Sequence, residues 1–167
     1  MLTVFLAAGL QSASGAWSAP AQGAWHGTAS PGLDVRLSSP TETVAMDGTV
    51  PLTVTLSSSK DSIGVSPMIN VTRGIAYEVS DFRGRIVAPK EPIAISPPAP
   101  PLGVDRLTMV KRGSPFVVAA GARAINLFPA PGRYRIRAVI YLMDVEGLPT
   151  RRADLRSNEL VIDVISR

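Results

Sequence analysis

Apolar and polar positions alternate along much of this chain. From Gly32 to Ser38, Leu33, Val35 and Leu37 take one side while Asp34 and Arg36 take the other. A period of two with one polar face predicts a half-buried strand. The same alternation returns over Val50–Leu56, with Val50, Leu52, Val54 and Leu56 inward and Thr53 and Thr55 outward. Pro51 lies near the start of that run, where a missing N–H is tolerated at an edge. Met46-Asp47-Gly48-Thr49 reads as the turn between the two, and Ser57–Ser62 as a polar loop.

Further along, Ile75–Ser80 carries Tyr77 and Val79. Asp81-Phe82-Arg83-Gly84 then turns the chain into Arg85-Ile86-Val87. A hairpin is expected, with Gly84 at positive φ. Leu107–Val110, a turn at Lys111–Ser114 and a return over Phe116–Ala119 follow. Ala120–Phe128 has room for one helical turn. Arg133–Leu142 is the longest strand signal, with Tyr134, Ile136, Ala138, Ile140 and Leu142 on one face. Glu146–Arg156 reads as a charged loop, and Leu160, Ile162 and Val164 mark the last strand. No amphipathic helix of useful length is present. Short strands with turn signals at this spacing predict an all-β domain, a sandwich or a barrel.

Two segments break the pattern. Pro89–Gly103 is proline-rich and includes Pro97-Pro98-Ala99-Pro100-Pro101, the composition of a polyproline-II loop. At the other extreme, Leu2–Leu10 is an apolar run too short for a bilayer, which takes about 20 residues. Ala19-Pro20-Ala21 follows as a small-x-small cleavage pattern. Residues 1–21 are therefore expected to be a signal peptide with Gln22 as the mature N-terminus. Residues 22–31 form a flexible lead-in, and 32–167 a single domain. The expected localisation is export, to the periplasm or outside the cell.

Composition narrows the chemistry. Of 167 residues, 46% are apolar and 18% charged, with a net charge of +4, which is enough for one ordinary core. Without cysteine there are no disulfides, thiolate metal sites or cysteine nucleophiles. The single histidine, His26, excludes any site that needs two imidazoles and argues against a Ser-His-Asp hydrolase.

Leu127-Phe128-Pro129-Ala130-Pro131-Gly132-Arg133-Tyr134-Arg135-Ile136 resembles the corner before the sixth strand of immunoglobulin-like and fibronectin-III-like domains. There a Gly sits two before a Tyr whose hydroxyl bonds back to upstream backbone. The order of the motifs Leu-Asp-Val-Arg-Leu, Gly-Thr-Val-Pro-Leu-Thr-Val-Thr-Leu, Tyr-Glu-Val-Ser-Asp and Ser-Asn-Glu-Leu-Val-Ile is similar to that of small exported bacterial β-sandwich modules. The resemblance implies an antiparallel Ig-like β-sandwich of about seven strands. It implies no activity, because the fold hosts many.

The candidate constellations are sparse. His26-Gly27 would suit a copper site only with a second histidine. Asp144, Glu146 and Asp154 share a stretch of chain but match no calcium-loop spacing. Asn70-Val71-Thr72 is a glycosylation sequon. Arg133, Arg135 and Arg137 form a row on one strand face that could grip phosphate or sulfate. If the two last strands pair with Tyr134, Ile136 and Ala138 opposite Val164, Ile162 and Leu160, Asp163 lies opposite Arg135 and Glu159 opposite Val139. The middle of the row is then neutralised. A register shifted by two is the other one that keeps Asp163 outward.

These readings predict no catalytic, cofactor-binding or metal residues, no cofactor, no nucleic acid and no membrane span in the mature chain. They predict a non-catalytic binding or structural accessory module, a monomer or weak oligomer. Its partner would be a protein or envelope component met through loops 89–103 or 143–156. A proteinase inhibitor with a proline-stiffened loop is the alternative.

Overall fold

The computed structural model describes residues 32–96, 102–142 and 154–167. The protein is all-β. Its strands are β1 (Leu33–Ser38), β2 (Thr43–Ala45), β3 (Thr49–Val50), β4 (Thr53–Ser58), β5 (Ser62–Val65) and β6 (Ile75–Asp81). There follow β7 (Thr108–Lys111), β8 (Phe116–Ala119), β9 (Ala122–Arg123), β10 (Gly132–Tyr141), β11 (Asp154–Arg156) and β12 (Leu160–Ile165). Two short 3-10 turns, Val104–Arg106 and Ala124–Asn126, are its only helical pieces among the described residues. The second occupies the helical turn expected within Ala120–Phe128.

The strands fall into two groups. In the first, β1 pairs antiparallel with β4 and β4 with β8. Residue numbers show that the short strands extend this ladder. Thr49↔Arg123, Val50↔Ala122, Thr53↔Ala119 and Leu56↔Phe116 share one register, and Ser62↔Lys111 departs from it by one residue. The expected strand Val50–Leu56 is thus interrupted at Pro51-Leu52, where proline withholds a ladder donor. Its inward residues are nonetheless buried as the alternation requires.

In the second group β10 is central. It pairs antiparallel with β6 on one side and with β11 and β12 on the other. Beyond β12 lies β2, and that pairing is parallel, with Asp163↔Thr43 and Ile165↔Ala45. The pairings between described strands are otherwise antiparallel, as expected, and this one is the exception. Ser39–Glu42 carries the chain from one group to the other without reversing it, so β2 meets β12 in the same direction. Buried side chains of both groups, among them Leu37, Val54 and Leu56 from the first and Val79, Ile136 and Ile162 from the second, share one apolar cluster. Each fully buried aliphatic there contributes roughly 1.5–3 kcal/mol.

Three further expectations change. Phe116–Ala119 does not return along Leu107–Val110; only Lys111 and Ser114 meet, across a turn with Gly113 at φ +76°. Instead β7 and β8 lie along β5 and β4, where Ile63↔Val110 and Val54↔Val118 keep one face of each strand against the core. Arg85-Ile86-Val87 is not a full strand. It holds β6 through a bridge from Ile86 to Ser80 and the Val87 N–H to the Val79 carbonyl at 2.9 Å. Finally, the charged loop 146–156 ends in a strand, β11, that pairs with β10.

The corner before β10 forms as the resemblance implied. The Tyr134 hydroxyl donates to the Ala130 carbonyl at 3.0 Å, and its ring stacks on Phe128 with centroids 5.0 Å apart. Gly132 sits at φ +156°, and a Cβ there would lie 3.3 Å from the Tyr134 oxygen. Glycine is what lets the ring lie back over the turn.

Candidate functional site

The strand alternation of β10 sends Tyr134, Ile136, Ala138 and Ile140 into the core and Arg133, Arg135 and Arg137 to the outer face. What lies beside each arginine depends on the register of the neighbouring strands. Tyr134 faces Ile162 and Ile136 faces Leu160, two residues from the pairing first expected. Asp163 is therefore opposite Arg133, not Arg135, with its Oδ1 3.3 Å from the Arg133 Nε. The direction of each side chain is as expected, because a shift of two preserves it.

Arg137 is compensated on both flanks. It lies opposite Glu78 on β6, with Nε 3.9 Å from Oε2, and its Nη2 pairs with Glu159 beside β12. Glu78 also takes Arg156 at 3.1 Å. Arg135 is flanked differently, by Ser80 on β6 and Val161 on β12, both uncharged. Its guanidinium lies over the Phe82 ring, 4.9 Å from the centroid, and Arg133 lies over the same ring at 5.1 Å. Among the described residues Arg135 has no carboxylate partner and its guanidinium makes no hydrogen bond.

Phe82 is held there by the turn that follows β6. Asp81 Oδ1 accepts the N–H groups of Arg83 (2.9 Å) and Arg85 (3.0 Å), and Oδ2 accepts the Arg85 Nε at 2.8 Å. Hydrogen bonds from the Arg85 backbone and guanidinium, with that from Arg83, hold the Asp81 carboxyl below its ordinary range. Gly84 closes the turn at φ +78°, as its place in the motif predicted. Between this turn and β10 opens a cleft of about 330 Å³, bordered by Glu78, Ser80, Gly84, Ile86, Arg135, Arg137 and Glu159. Ile86 stands at its edge, 73% exposed.

The other sequence candidates fare unevenly. The described part of the proline-rich segment is tied down. Lys90 N–H bonds to Phe128, Glu91 N–H to Ile125 and Ser96 N–H to Thr72. It roofs a small apolar cavity of about 150 Å³ lined by Ile75, Tyr77, Val79, Ile93 and Leu127 among others. The Tyr77 hydroxyl at that site donates to the Ala120 carbonyl, and burial pushes its pKa above the usual phenol range. Asn70 folds its side chain onto its own loop, accepting from the Thr72 N–H and hydroxyl. Arg112 belongs to a different strand group from the arginine row, bonded to the Ser59 carbonyl at 2.8 Å, whereas Arg156 adjoins the row through Glu78. His26, residues 97–101, and Asp144 and Glu146 of the loop lie outside the described residues, as does the proposed leader. Among the described residues no three His, Asp or Glu gather as metal ligands, and no helix is long and apolar enough to cross a membrane.

What sequence reasoning missed is Phe82 and the isolation of Arg135. The signal for Phe82 was its place inside a tight Asp-x-x-Gly turn beside the arginine row; the isolation of Arg135 needed the register. Compared with known proteins, the chain matches no family, no curated protein and no solved structure.

Proposed function

We propose that this chain is an exported, non-catalytic binding or structural accessory module, built as an immunoglobulin-like β-sandwich and acting in the cell envelope or outside it. The strand order supports the architecture. One sheet would be β1–β4–β8 with its extensions, the other β2–β12–β10–β6, with the chain crossing between them after β1. The Tyr134 corner supports it too. The observation that carries the binding role is the open outer face of β10, a rigid sheet surface on which one arginine of three is left uncompensated beside a cleft. Binding sites commonly combine such a concave surface with a few placed polar groups. The partner is a protein or envelope component, and the module works as a monomer or weak oligomer.

Fractionation of a bacterial host expressing the full chain with a C-terminal tag tests this. The expected product is periplasmic or extracellular, with the mass of a chain beginning at Gln22, and it retains an envelope component without consuming it. A cytosolic product that keeps Met1 overturns export, and turnover of the retained component overturns the non-catalytic role.

A further inference from the structure

We infer that Arg135 is a recognition site for a single carboxylate carried on an apolar body, an inference that rests on the reading of the chain as a binding module. The three outward arginines of β10 are chemically alike but differently placed. Arg133 has Asp163, and Arg137 has Glu78 and Glu159. Arg135, between Ser80 and Val161, has only the Phe82 ring. A guanidinium carries five N–H donors in its own plane, and an aromatic ring engages its face and satisfies none of them. Arg135 borders the cleft, and the donors of its planar fork are used by no described residue. A carboxylate is the group that matches this fork, through two parallel charge-assisted hydrogen bonds.

The surrounding charges set the ligand's size and sign. Arg133, Arg135, Arg137 and Arg156 face Glu78, Glu159 and Asp163, and the adjoining turn adds Arg83 and Arg85 against Asp81, so positive charge is in surplus. An anion is therefore favoured over a cation. A phosphate or a polyanion would bring a second negative charge against Glu78 and Glu159, which border the same cleft. The apolar requirement comes from the edge: Ile86, which lines the cleft, is 73% exposed, while the Phe82 ring is engaged by Arg133 and Arg135. An acid with an aliphatic or aromatic flank covers Ile86. Free small carboxylic acids and glutamate side chains of peptides share this chemistry.

The test is titration of the full chain, followed by amide chemical shifts, with phenylacetate and with a blocked pentapeptide holding one glutamate between valines. Phenylacetamide and the glutamine twin of the peptide serve as uncharged controls. The expected result is saturable binding of a carboxylate at least about tenfold tighter than its amide. Arg135→Gln removes that preference, and Arg112→Gln, on the other strand group, leaves it. Saturation by phenylacetate alone identifies a free acid as the source; tighter binding of the glutamate peptide identifies an acidic peptide. Equal binding of acid and amide, preference surviving Arg135→Gln, or heparin displacing the carboxylate with a steep salt dependence each overturns the inference. If in those cases the wild-type chain still retains an envelope component, the Arg135 site falls and the binding module stands. If it retains none, both fall.

Discussion

The Asn158 side-chain amide satisfies both backbone groups of Leu37: its Oδ1 accepts the Leu37 N–H at 2.9 Å and its Nδ2 donates to the Leu37 carbonyl at 3.1 Å. Leu37 belongs to β1, in the first strand group, while Asn158 lies in the break between β11 and β12, in the second. One side chain therefore joins the groups in the manner of a short strand. Asn158→Ala strips partners from two backbone groups of a residue only 1% exposed. The expected cost is about 1–3 kcal/mol, read as a lower urea midpoint at unchanged slope. An unmoved midpoint would show that water replaces the amide without loss.

The corner before β10 makes a graded series. Tyr134→Phe loses one hydrogen bond to Ala130, at a cost of about 1 kcal/mol. Ile136→Ala opens a cavity at a fully buried position and costs more, about 2–5 kcal/mol. Gly132→Ala drives a Cβ against the Tyr134 ring from a backbone angle that favours glycine, so it is also destabilising. Denaturation midpoints check the order; a larger effect for Tyr134→Phe than for Ile136→Ala would contradict the burial assigned here.

A double-mutant cycle reads the register directly. Arg133 and Asp163 are cross-strand partners, so removing either side chain should reveal a coupling of roughly 0.2–1 kcal/mol. Arg135 with Asp163 should show little. The reverse ranking would restore the pairing first expected from the sequence.

Acid should loosen the turn that presents Phe82. The Asp81 carboxyl has its pKa lowered by folding, so its stabilisation is present above the unfolded value and is lost as pH falls through the folded one. The amide resonances of Arg83 and Arg85 are expected to titrate together, with a midpoint below about 3.9, the ordinary aspartate value. Asp81→Asn should abolish that titration. A midpoint at or above the ordinary value would mean that the two N–H bonds do not favour the charged form.

How far the sequence could be read depends on what alternation encodes. It fixes which face of a strand is inward, so the buried sides of β1, β4, β10 and β12 were legible. Tight turns were legible too, because Gly84 and Gly113 occupy positions where positive φ selects glycine. The short strands β2 and β5 offer too few residues to show a period. Alternation is also blind to a slide of two residues, which leaves every side chain on its own face. That slide moves Asp163 from Arg135 to Arg133. The candidate site was therefore illegible for a specific reason: the row of arginines is written in one strand, but which of them is free is written in the alignment of three.

The parallel course of β2 and β12 bears on how the molecule would carry force. β1 and β2 advance in the direction of β12, with Leu37 beside Asn158 and Ala45 beside Ile165. The described chain thus enters at one end of the strand axis and leaves at the other. A pull applied between those ends acts along the strands. The bonds linking β2 to β12 would then be strained together in shear, rather than peeled apart one after another. A module tethered on one side and loaded on the other would resist as a clasp does, by sliding all at once or not at all.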